Sequence, residues 1–183
     1  APHHSIEGGT NPILALSNFE KYADFLLELP LRYPDIDFIF RPHPVLFTIL
    51  AREDKWGQQK VDTYLNKIKD YKNMIVCISN DYMELFAKSD AIIQDSGSFL
   101  VEYFYTGKPC CYVLKEKLDI DLKFTDLGKE CLNHCYLSYT EDDIKEFIEN
   151  VVINENDYMK NERLLFSKNT IMNNYPHVTS NII

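Results

Sequence analysis

Five short apolar runs constrain this chain more than any other feature: Ile36–Phe40, Met74–Ile78, Ala91–Gln94, Pro109–Leu114 and Cys135–Leu137. They are too short for buried helices and too continuous for strands with one wet face. That pattern belongs to parallel strands covered on both sides. Helical spacing fills the gaps. Phe19, Tyr22, Phe25, Leu26 and Leu29 recur after Asn18, an expected N-cap, and Pro30 should end that helix. Residues 45–52 read as a short helix. Gln58–Lys72 carries Val61, Tyr64, Leu65 and Ile68 on one face. Tyr82–Ala87, capped by Ser79-Asn80-Asp81, Phe99–Tyr105, Glu141–Val152 and Asp157–Asn169 follow, while Leu118–Gly128 shows no clear period. Alternating strands and helices predict an α/β fold: a Rossmann-like parallel sheet with helices on both faces. Length predicts one domain over residues 1–183, with residues 174–183 as a frayed tail.

The formal charge of −9 argues against nucleic acid and against an electrostatic anchor to anionic lipid. No apolar run approaches the ~20 residues that span a bilayer, and no signal-peptide pattern is present. The sequence starts at Ala1 without methionine and reads as a piece of a longer protein, lacking the first strand of its sheet. Five cysteines, an odd number without framework spacing, read as reduced thiols in the cytoplasm. Cys110 and Cys111, adjacent on a strand, should point to opposite faces. Cys131-x-x-x-Cys135 with His134 has no second ligand pair at zinc-finger spacing, so no metal and no cofactor are expected.

Ligands of parallel sheets bind beyond the carboxyl ends of the strands. Arg41-Pro42-His43-Pro44, Ser79-Asn80-Asp81 and Asp95-Ser96-Gly97-Ser98 lie at such ends, and Ala1–Ser5 is a fourth cluster if it follows a strand. The last turn opens a helix. Its small residues let a phosphate approach backbone N–H groups that have no partner inside the helix. Glu102, inside that helix, could accept from ribose hydroxyls. Two prolines aim His43, and Arg41 adds a fixed cation; together they suit a phosphate or a leaving group gaining charge. The plainer alternatives are a solvated proline-stiffened turn and an ordinary N-cap. His3, His4, Ser5, Ser79 and Asn80 are further donor-contact candidates, although Ser79 and Asn80 are as simply read as a helix cap.

Taken in order, Arg41-Pro42-His43-Pro44, Ser89–Ser98, Glu102 and Gly107-Lys108-Pro109 resemble the CDP-glycerol glycerophosphotransferase family of teichoic acid and capsule polymerases. Ala1-Pro2-His3-His4-Ser5 resembles the Ala-Pro segment after the first strand of that family's C-terminal domain. The resemblance covers roughly residues 1–150. It implies the donor-binding half of a GT-B fold. His43 would be the catalytic donor-site histidine, Arg41 and Asp95–Ser98 the phosphate cradle, and Glu102 the ribose contact. The implied reaction moves glycerol phosphate, or a similar polyol phosphate, from a CDP-linked donor to a hydroxyl on a polymer or lipid-linked acceptor. The parent enzyme would work at the inner face of the plasma membrane, touching it only through parts outside this chain. Without the acceptor domain, this piece alone should be inactive.

Many polymerases of the family carry Asp-Tyr-Ser-Ser at the turn. The Asp-Ser-Gly-Ser here also resembles the Asp-Ser-Gly-Gly of UDP-sugar 2-epimerases, which share the fold. A UDP-sugar-binding half of a glycosyltransferase or epimerase is therefore the second reading, and a stand-alone nucleotide-binding module the third.

Overall fold

The computed structural model describes residues 1–8, 11–78, 81–173 and 175–177. The chain is α/β, with small parallel sheets flanked by helices. Its contacts divide it into two compact units, Ala1–Asn80 and Asp81–Ile183.

In the first unit, β1 (Phe38–Phe40) pairs in parallel with β2 (Met74–Val76), Phe38 opposite Met74. Helix α1 (Phe19–Arg32), α2 (Leu46–Leu50) and α3 (Gly57–Lys69) accompany them. Phe19, Phe40, Leu46, Leu50, Tyr64 and Ile68 form the heart of a core that α1, α3 and the strands share. Each such side chain contributes about 1.5–3 kcal/mol by leaving water. Tyr64 keeps its hydroxyl satisfied there by donating to the Ala23 carbonyl at 2.9 Å. Ile39 and Ile75, on the other face of this two-stranded sheet, are exposed, so cover in this unit is confined to one face.

Helix α1 departs from expectation at both ends. Asn18 is the N-cap residue, but its side chain donates to Leu16 O rather than capping. Pro30 lies inside the helix, which runs on to Arg32. A proline this near the end removes only one hydrogen bond. Asn73 secures the end that follows, since its Nδ2 lies 2.9–3.1 Å from the carbonyls of Pro30, Tyr33 and Ile36.

In the second unit, β3 (Ile92–Gln94), β4 (Cys110–Val113) and β5 (Tyr136–Ser138) form a parallel sheet with β4 central and buried throughout. Burial of both Cys110 and Cys111 follows from their alternation on that strand; all five cysteines are free thiols. Helix α4 (Met83–Lys88) precedes β3, and α5 (Gly97–Glu102) follows it, tightening into a 3₁₀ turn at Tyr103–Thr106. The Leu118–Gly128 stretch resolves into α6 (Leu118–Lys123) and the start of α7 (Asp126–Leu132). Helix α8 (Glu141–Glu146) begins with a capping box between Thr140 and Asp143 and widens into a π-helical stretch, Phe147–Ile153. Helix α9 (Lys160–Phe166) ends similarly. No helix among the described residues is long and apolar enough to cross a membrane.

Candidate functional sites in the two units

The first unit builds its site from two segments some forty residues apart. Strand β1 ends at Phe40; Arg41 and Pro42 are buried, and the chain turns outward at His43. The Ala1–Ser5 segment docks on this turn, because His43 N–H donates to Pro2 O at 3.0 Å. Ser5 anchors the segment from the other side. Its carbonyl accepts from Ser17 N–H at 3.2 Å and its hydroxyl from Leu16 N–H at 3.3 Å. The result is a cluster of three imidazoles. Ring centroids are 4.2 Å apart for His3 and His4, 3.9 Å for His4 and His43, and 5.3 Å for His3 and His43.

Burial, then repulsion from His4 and His43, pushes His3 down to about 4. Burial, with His4 and the Arg41 guanidinium, also holds His43 below its ordinary value. Both rings are therefore neutral at pH 7, and Arg41 is the fixed positive charge of the strand end. His43 Nδ1 accepts from Val45 N–H at 3.2 Å. In that tautomer Nε2 carries the proton and can donate to an oxygen. His4 Nδ1 is buried with no hydrogen-bond partner, a costly state in the absence of a ligand.

In the second unit the Asp95–Ser98 turn joins β3 to α5. Asp95 and Ser96 are buried and Ser98 is exposed. Gln94, fully buried on β3, accepts from Ser96 N–H at 2.7 Å, so the Ser96 amide is engaged within the protein. The next amides, of Gly97 and Ser98, are the ones a helix start leaves for a ligand. Ser96 Oγ and Ser98 Oγ lie 3.2 Å apart. Phe99 packs on Tyr82 and Phe86 at 4.9 and 5.0 Å, fixing the helix against α4. Glu102 Oε2 is buried without a hydrogen-bond partner, an acceptor that a hydroxyl donor would satisfy.

No protein-family model matches this chain, and no curated protein matches it significantly. Functional weight rests on these residues themselves. Ser79 and Asn80 lie outside the described residues. Cys131, His134 and Cys135 do not converge as a ligand set among the described residues; His134 stacks instead on Phe166 at 4.2 Å. Gly107-Lys108-Pro109 has a structural task. Gly107 adopts φ 70° at the end of the 3₁₀ turn, and Lys108 Nζ donates to the carbonyls of Ala87 and Ser89, completing the end of α4. Tyr112, which sequence reasoning passed over, has a buried hydroxyl with no hydrogen-bond partner; burial and the nearby Asp95 push it well above its ordinary value. Its only sequence signal is a phenol within an otherwise apolar strand.

Gly97 separates packing from binding. A Cβ built there meets nothing within 4 Å. Gly97→Ala should therefore fold, with stability unchanged or raised by up to ~1 kcal/mol. If a phosphate rests on this turn, the methyl keeps it from one amide and weakens diphosphate binding about tenfold. Thermal unfolding and calorimetric titration with CDP check the two halves separately.

Proposed function

We propose that this chain is the nucleotide-donor-binding part, one Rossmann-like half, of a GT-B-type transferase. It binds a CDP-linked polyol phosphate, and the parent enzyme moves glycerol phosphate or a similar group to a hydroxyl acceptor of a cell-surface polymer. The observation that carries the reading is the convergence of Ala1–Ser5 on Arg41–Pro44: two sequence clusters, each singled out for a donor, share one strand end through His43 N–H and Pro2 O. His43 offers Nε2–H to a phosphoryl oxygen, and Arg41 offsets charge developing on the departing nucleoside monophosphate. Such displacement needs charge stabilisation more than a covalent intermediate. Within the second unit, and taken by itself, the Asp95–Ser98 turn offers phosphate contacts and Glu102 an acceptor for a ribose hydroxyl. The parent would act at the cytoplasmic face of the membrane.

Calorimetric titration with CDP-glycerol, CDP, UDP and UDP-N-acetylglucosamine tests this, with Ser98→Trp as a blocked control. A cytidine preference abolished by the block is expected. A uridine preference would move the assignment to the UDP-sugar enzymes, and nucleotide binding untouched by Ser98→Trp would remove the turn from the site. Glu102→Ala should weaken CDP and UDP by roughly tenfold and inorganic pyrophosphate little, since only the nucleotides bring a hydroxyl to the orphan oxygen. Equal loss for all three would contradict the ribose role.

A further inference from the structure

We infer that His3, His4 and His43 form a three-imidazole site for a divalent transition metal of the zinc type, with a fourth position open to an oxygen ligand. One ring nitrogen from each of the three residues lies within 4.8 Å of the other two, all three side chains are half-buried, and no other group of three candidate ligands occurs among the described residues. Two of the rings are already neutral near pH 7, the state in which imidazole binds metal. Three nitrogen ligands and no carboxylate favour zinc, cobalt, nickel or copper over magnesium or calcium.

The surroundings supply what a metal-binding imidazole needs. His3 Nδ1 lies 2.7 Å from Ser5 Oγ. In the metal-free ring Nδ1 also accepts from Ser5 N–H at 3.3 Å. Binding an ion through Nε2 selects the other tautomer, in which Nδ1–H donates to the Ser5 hydroxyl, the arrangement that orients metal-bound histidines elsewhere. The buried Nδ1 of His4 has no hydrogen-bond partner, and in the tautomer that leaves it a lone pair the ion satisfies it. His43 gives up the bond from Val45 N–H, which is solvent-exposed and replaceable by water. The backbone bonds at Pro2 and Ser5 hold the segment in place, so little chain has to be ordered on binding.

Arg41 decides the fourth ligand. Its charge, next to His43, opposes a bare cation as it opposes imidazolium. An anionic oxygen on the metal cancels that repulsion. On the donor reading, which only this last step requires, the oxygen belongs to a phosphoryl group.

The test is titration of the metal-free protein with cobalt(II) near neutral pH. One equivalent should bind with the intense visible bands of a four-coordinate nitrogen–oxygen site and without a near-ultraviolet thiolate charge-transfer band; zinc should displace it. His3→Asn and His4→Asn should each weaken binding more than tenfold while circular dichroism stays unchanged. Ser5→Ala, which leaves all three ligands in place, should weaken it about tenfold. Absence of the bands, a thiolate band, or unchanged affinity in both histidine variants would overturn the site. CDP-glycerol added to the cobalt form should shift the bands. Bands indifferent to it would uphold the metal site and overturn the donor reading at His43. Nucleotide binding without any cobalt binding would do the reverse.

Discussion

Replacing Arg163 by methionine should destabilise the second unit by about 2–4 kcal/mol, less than the full cost of breaking a wholly buried ion pair because the stranded Asp157 is only partly buried. Arg163 is 1% exposed. Its Nη1 donates to Asp157 Oδ1 at 3.0 Å, its Nη2 to Asp157 Oδ2, and its Nε to Gly107 O at 3.0 Å. The Tyr136 hydroxyl, on β5, donates to the same carboxylate at 2.8 Å. One guanidinium thus ties α9 to the turn before β4 and to the loop after α8. Burial raises the Asp157 carboxyl, but the bonds from Arg163 and Tyr136 outweigh it and hold it below the usual carboxylate range. A carboxyl lowered on folding contributes stability above its unfolded value, near 3.9, and loses it as pH falls through the folded one. The difference between wild type and Arg163→Met should therefore be full near pH 7 and shrink below about pH 4. Thermal unfolding across that range measures it. A variant as stable as wild type near pH 7 would mean that the network is replaceable, and an undiminished difference in acid would mean that Arg163 acts through packing alone.

Nothing in the sequence pattern marked this network. Asp157 and Arg163 sit in a stretch read simply as an amphipathic helix, and the bond from Arg163 to Gly107 spans 56 positions. What was legible was local. Each of the five apolar runs holds or overlaps a strand; burial accounts for the continuous apolar side chains of β4, while Ile39 and Ile75 in the first unit are apolar and exposed. The acidic start of α8 was legible for a different local reason, as a first turn facing the helix dipole. Pairing was less so: β1 with β2, and β4 with β3 on one side and β5 on the other, is set by contacts that no window contains. The end of α1 was missed because a proline in the last turn removes only one hydrogen bond, and because the Asn73 amide that gathers the carbonyls there lies forty-three residues from Pro30. Within the candidate sites, residue types were legible and partners were not. His43 and the Asp95–Ser98 turn were visible from Pro, Gly and Ser placement. The docking of His3 and His4 on His43, the hold of Gln94 on Ser96 and the orphan hydroxyl of Tyr112 all depend on tertiary distance.

His43→Ala should lower affinity for CDP-glycerol by roughly 10- to 100-fold, the range for losing one or two hydrogen bonds to a charged oxygen, and leave the fold intact. The variant keeps the contact that docks Ala1–Ser5, since His43 holds Pro2 through its backbone N–H and not its ring. The ring's own bond, from Val45 N–H, is exposed, and water replaces it. Acidity separates an electrostatic role from a merely steric one. In the free, metal-free chain His43 is held below its ordinary value by burial, by His4 and by Arg41. A bound diphosphate stabilises the imidazolium and raises that value. Protonation and binding therefore favour each other, and with a chelator present affinity should rise as pH falls from about 7 toward 5. The diphosphate of CDP-glycerol is esterified at both ends and does not titrate there, so the slope belongs to the protein. His43→Ala should flatten most of it. With zinc in the three-imidazole site the sign reverses, because protons then compete with the metal for the same nitrogens. Calorimetry at several pH values, with chelator and with zinc, reads both slopes. An affinity independent of pH in both conditions, or unchanged in His43→Ala, would take the histidine out of the donor site.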